Sequence, residues 1–156
     1  LYPLFILFFF EGHAKKESIM KVTHYNQVEL QPVSEEGAAG ANIRWLIAEK
    51  DGAPNFALRM FEVAPEGHTP YHKHAWEHEV YCLEGQGVLI FEGNEYPFAA
   101  NDAVFVDPDK MHQFKNTGTE TLKFLCIIPL PGKSQIEKDT EKKSLNPFAA
   151  GRANNC

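Results

Sequence analysis

Between Asn42 and Leu130 the chain alternates brief runs rich in Val, Ile, Phe and Tyr with short polar breaks. The runs are Ile43–Glu49, Phe56–Ala64, His78–Leu83, Gly87–Glu92, Glu95–Phe98, Ala103–Asp107, His112–Asn116 and Leu122–Ile128. The breaks carry Asp51-Gly52, Glu84-Gly85, Gly93-Asn94, Asn101-Asp102 and Thr117-Gly118. Glycine supplies positive φ in such turns, and Asn and Asp bond their own backbone. Many short strands at close spacing, with no helical period between them, predict an all-β sandwich or barrel. One run, Phe56–Val63, is apolar on both faces for part of its length. Such a strand predicts cover on both sides, from a second sheet or at the seam of a homodimer.

The two ends break the pattern. Leu1–Phe10 is almost wholly apolar, but a helix needs about 20 such residues to span a bilayer. It also lacks the basic start and small-residue cleavage site of a signal peptide. The chain begins with Leu, whereas Met20 follows a Lys16-Glu17 pair that AAG GAG, a ribosome-binding sequence, can encode. Residues 1–19 therefore read as a non-native or disordered extension, 20–135 as the barrel, and 136–156 as a tail.

Composition narrows the class. A chain of 156 residues suits one domain, and at 44% hydrophobic it can bury a core without staples. A net charge of −6 argues against a broad nucleic-acid surface, which needs clustered Lys and Arg. No membrane partner is expected. Cys82, Cys126 and Cys156 form no C-x-x-C pair and are odd in number, which suits a reducing cytoplasm. Cys82 and Cys126 read as small buried hydrophobes in strands.

The chemistry lies in the histidines. His72, His74 and His78 fall in one short stretch, and His112 follows on a later strand. On a strand, the i, i+2 pair His72 and His74 would project both rings to one face. The Ala75-Trp76-Glu77 excursion would then bring in His78, and His112 would close the site from across the barrel. Any one histidine reads most simply as a strand or surface position, and His13, His24 and His68 are read that way. The H-x-H-x3-H spacing sets the other four apart, since imidazole suits Zn, Cu, Fe, Ni and Mn.

The stretch from Gly67 to Gly87, GHTPYHKHAWEHEVYCLEGQG, resembles the first sequence motif of the cupin superfamily. Val106 to Asn116, VDPDKMHQFKN, resembles the second, with Pro108, His112 and Asn116 in place. The resemblance covers roughly Asn42 to Gly132 and implies a double-stranded β-helix, or jelly-roll barrel, around one divalent transition-metal ion. Most cupins place Glu as third ligand of the first motif. Counting back from Gly85 puts His78 in that slot and Glu79 on the opposite face of the strand. The pattern resembles small bacterial monocupins with four histidine ligands: His72, His74, His78 and His112. The second motif lacks its usual Gly after Pro108, where Lys110 stands, so the turn is expected to differ.

What the resemblance implies about activity is broader. By fold analogy Mn or Fe is expected, with Zn, Ni and Cu open. Neutral imidazole ligands leave the ion its full charge and one or two free positions. Phe114 shares the face of His112, and Phe124, Cys126 and Ile128 share one face of the last strand. Trp76 sits between ligands. Arg59 lies on an apolar strand, where a charge needs a partner or a cavity. Arg59, Trp76, Phe114, Phe124 and Cys126 are thus expected to line a pocket for a small-molecule substrate. The leading expectation is a dioxygenase-like oxidoreductase that activates O2 on a small apolar or aromatic substrate. The alternatives are a metal-dependent isomerase or lyase acting on a carbonyl, and a non-catalytic binding module. The only base in view is a displaced Glu77 or Glu79.

Overall fold

The computed structural model describes residues 20–130. The expected extension (1–19), the end of the expected barrel (131–135) and the tail (136–156) lie outside the described residues.

Nine strands occur among the described residues: β1 (Gln31–Pro32), β2 (Ala39–Ile47), β3 (Phe56–His68), β4 (His78–Glu84), β5 (Gln86–Phe91), β6 (Asn94–Ala99), β7 (Ala103–Val106), β8 (His112–Asn116) and β9 (Leu122–Pro129). The only helical pieces there are short 3-10 turns at Tyr25–Gln27 and Glu49–Asp51. Every pairing is antiparallel, in the order β6-β5-β8-β3-β9-β4-β7, with β2 added beside β3 and β1 beside β2. Strand β3 joins the two faces of the barrel. Its first part, Phe56–Val63, pairs with β9, and His68 at its end pairs with Lys115 of β8. The result is the expected jelly-roll barrel. No helix among the described residues is long and apolar enough to cross a membrane.

Strand parity builds the interior. Along β9, Leu122, Phe124, Cys126 and Ile128 are buried, and the residues between them are not. Along β4, His78, Val80 and Cys82 turn inward while Glu79 and Tyr81 face solvent. Phe61 stacks on Phe124 with ring centroids 5.1 Å apart. Each such side chain contributes about 1.5–3 kcal/mol by leaving water. Two motif glycines serve a left-handed turn and a close backbone approach. Gly85 takes φ 82°, and a Cβ on Gly87 would lie 2.5 Å from the Lys115 carbonyl oxygen.

The differences from expectation lie where local pattern is weak. Strand β1 is short, polar and exposed, so only its pairing with β2 reveals it. Strand β3 runs on through Pro65-Glu66-Gly67, a turn-like stretch, with Glu66 at φ 65°. The doubly apolar face of β3 is partly covered by the chain itself, since Met60 is only 3% exposed in the monomer.

Candidate metal centre

His78 opens β4 and His112 opens β8. His72 and His74 do not lie on a regular strand, contrary to expectation. Their segment is a loop with a single bridge, in which His72 N–H donates to His112 O (3.1 Å) and His112 N–H donates to His72 O (2.9 Å). Beyond it the ladder stops, because the carbonyl of His74 is taken by the Asp109 N–H at 2.7 Å. That bond anchors the loop between β7 and β8. Asp109, between Pro108 and Lys110, takes φ 60°, so the turn's left-handed position falls one residue before the place of the missing glycine, on a residue type that tolerates it.

All four rings meet. Ring centroids of His72 and His112 are 5.0 Å apart, those of His74 and His112 5.0 Å, and those of His72 and His74 5.3 Å. His78 lies 4.5 Å from His74 and 4.9 Å from His112. One nitrogen each from His72, His74 and His112 falls within 4.8 Å of the others. The outer nitrogens explain the inner ones. Nδ1 of His72 meets Glu35 Oε2 at 3.0 Å, that of His74 meets Trp76 O at 2.7 Å, and that of His112 meets Lys110 O at 2.8 Å. These oxygens only accept, so each Nδ1 carries the proton and each Nε2 keeps its lone pair. Nε2 of His112 is buried with no partner among the described residues. Three inward lone pairs, each oriented by an outer hydrogen bond, fit a divalent transition-metal ion.

His78 differs. Its Nδ1 lies 3.3 Å from Arg59 Nη2 and 3.2 Å from Cys126 Sγ. Arginine only donates, so the ring accepts there and its Nε2–H points at His74 Nε2, 2.7 Å away. Glu79 faces outward and is exposed, as the Gly85 spacing implied.

Burial favours the neutral form of His74, His78 and His112. Desolvation, helped by the neighbouring rings, lowers the pKa of His74 to about 4. Burial and then the Arg59 charge lower that of His78 to about 2. Burial also lowers His112. Neutral rings at pH 7 leave their lone pairs available. Burial raises the Cys126 thiol, against the pull of Arg59.

The rings open onto a cavity of about 300 Å³, bordered by all five expected pocket residues, Arg59, Trp76, Phe114, Phe124 and Cys126. Trp76 forms a wall, its ring stacked on His74 at 4.3 Å and nearly parallel to it. Arg59 answers both halves of its expectation. Its Nη2 donates to Cys126 Sγ at 2.9 Å, and its Nε is buried without a partner. Its guanidinium also lies 5.6 Å from the Trp45 ring centroid and 5.2 Å from that of Phe61. Trp45, Phe61 and Glu35 border the cavity too but escaped the sequence reading. Trp45 pairs with Arg59 across β2 and β3, a register that could have exposed it. Nothing local marks Glu35.

The cupin domain family matches residues 59–128. The polyketide cyclase RemF of Streptomyces resistomycificus superposes with a TM-score of 0.68 and 38% identity, covering 71% of this chain and 80% of that one. The chain belongs to the cupin superfamily. This cupin is also 37% identical over 70 residues to the oxalate-binding protein of Thermotoga maritima, covering 44% of this chain and 58% of that protein. It is 32% identical over 103 residues to 1-methylthio-D-xylulose 5-phosphate methylsulfurylase of Rhodospirillum rubrum, 65% of each chain. The matches thus span less than two thirds of these two curated relatives. The names describe different chemistries, so the shared fold alone does not choose a reaction.

Proposed function

We propose that this cupin is a metal-dependent enzyme acting on a small carbonyl or enol substrate. His72, His74, His78 and His112 would hold the ion, with Mn or Fe expected. The observation that carries the reading is the set of three imidazoles whose Nδ1 protons are tied outward and whose Nε2 lone pairs converge on the cavity. When bound, a divalent ion supplies Lewis acidity toward a carbonyl or enol oxygen. For His78 to join through Nε2, its ring proton must sit on Nδ1, where Cys126 Sγ at 3.2 Å can accept its hydrogen bond in place of the bond from Arg59. The aromatic walls hold a flat substrate and keep water away. Glu77 and Glu79 do not border the cavity, whereas Glu35 does. Glu35, already bonded to His72, is the better candidate to take up or return a proton.

The likeness to a polyketide cyclase supports carbonyl chemistry over the O2 activation that sequence alone favoured. Dioxygenase chemistry keeps its support in the apolar cavity and the neutral ligand set. Turnover of 1,3-dicarbonyls, enols and phenols, followed with and without O2, separates the two. Product formed without O2 uptake supports the proposal; turnover only with O2 uptake favours the dioxygenase. Elemental analysis of untagged protein should find about one ion per chain. His78→Ala and His112→Ala should both lower it, Glu79→Gln should not, and His78→Glu should keep it with altered metal preference. A metal-free wild type would sink the reading. A cytoplasmic homodimer belongs to the same proposal. Its motivation is the exposed apolar side chains of Phe105, Tyr81 and Ile127 on the neighbouring strands β7, β4 and β9, with Glu79 opposite both Phe105 and Ile127, and sedimentation at micromolar concentration tests it.

A further inference from the structure

The charge inside the barrel is one-sided. Arg59 brings a permanent positive charge to the cavity wall, and its contacts there are a thiol, an imidazole and two aromatic faces. None of these is an anion. Among the described residues bordering the cavity, Glu35 is the sole carboxylate. Its side chain is 63% exposed and engaged with His72. The imidazoles add no negative charge, and a divalent ion would add two positive ones. An unpaired charge in so apolar a setting is costly unless something neutralises it. One donor, Arg59 Nε, is buried and unused. Beside it the walls are flat and aromatic: Trp45, Phe61, Phe114 and Phe124.

We infer that the cavity selects a small planar anion, an aromatic or conjugated carboxylate or enolate, and that Arg59 is the residue that reads its negative charge. The inference rests on the proposed reading of the site and narrows its substrate to a charged one. Arg59 then acts as an anchor. Its unused N–H meets the anionic oxygen, and the aromatic faces hold the body of the ligand edge-on or stacked. The cavity of about 300 Å³ admits one substituted ring or a short conjugated chain.

Benzoate and benzamide test this, because they share shape and differ in charge. Titrations are followed by calorimetry and by the fluorescence of Trp45 and Trp76, on metal-loaded and chelator-treated wild-type protein. Benzoate should bind at least about tenfold more tightly than benzamide in both states, the size of one charge-assisted hydrogen bond. Arg59→Met should remove that preference, and Arg59→Lys should restore part of it. Equal binding of the two probes, or no benzoate binding at all, overturns the inference without needing any variant to fold. A preference that survives in Arg59→Met overturns the role of Arg59. Failure of the underlying proposal reads differently. A wild type that holds no metal but still prefers benzoate retains the anion site and loses the metal centre.

Discussion

Four strands of this barrel each carry two very different residues four positions apart, a spacing of about 13 Å. Strand β3 has Arg59 and Val63, β9 has Cys126 and Leu122, β4 has His78 and Cys82, and β8 has His112 and Asn116. The second member of each pair belongs to a closed end. Val63, Leu122 and Cys82 are 0% exposed. Asn116 spends its amide on backbone, donating to Val63 O and Glu120 O at 2.8 Å and accepting from Gly118 N–H. The first members meet at the open end, and there satisfaction stops. Both buried side-chain atoms without a partner among the described residues, Arg59 Nε and His112 Nε2, belong to residues that border the cavity. One end of the same strands is saturated, and the other holds lone pairs and donors in reserve. Unmet polar groups are rare in native interiors, so two on one cavity mark the place where a ligand belongs.

The contrast predicts separable effects. The largest is at the closed end, where Leu122→Ala should cost about 2–5 kcal/mol by opening a cavity in a fully packed site. Urea unfolding measures it, and the folded fraction should keep its metal. A loss well under about 1 kcal/mol would mean that stability does not reside there. Next, Asn116→Ala strands two carbonyls and one N–H, for a loss of about 1–3 kcal/mol. Asn116→Asp should recover only the acceptor side, and if it matched wild type the two donated bonds would be unimportant.

The smallest effect belongs to the open end and is read by pH. In metal-free protein the unfolded histidines take up protons near pH 6.5, whereas folded His74 does so only near 4. The unfolded state therefore binds more protons between those values, and stability falls as pH drops from about 6.5 toward 4. Above pH 7 the histidine contribution should be flat. His74 borders an open cavity where solvent screens its charge, so its own share of the decline should be milder than either substitution. Loading with metal should delay it, because bound rings cannot protonate. A profile flat across the whole window would show that the rings protonate freely in the fold and are not held neutral.

Much of this was legible in the chain itself, for a physical reason. Side-chain direction along a strand has a period of two, so parity alone turned His78 inward, Glu79 outward, and Phe124 and Cys126 onto one face. The motif glycines are legible because their positions tolerate no Cβ. Other features are decided only by the folded chain. The sequence placed His72 and His74 on a strand; the structure puts them in a loop held by one bridge, because a long-range bond from Asp109 takes the carbonyl of His74. Which nitrogen of each ring faces the cavity depends on Glu35, Trp76 and Lys110, and pattern along the chain encodes no such pairing. Arg59 shows the division most clearly. Sequence says that a charge on an apolar strand needs an answer; only the packing of β2, β3, β4 and β9 brings Trp45, Phe61, His78 and Cys126 around it and leaves one donor free.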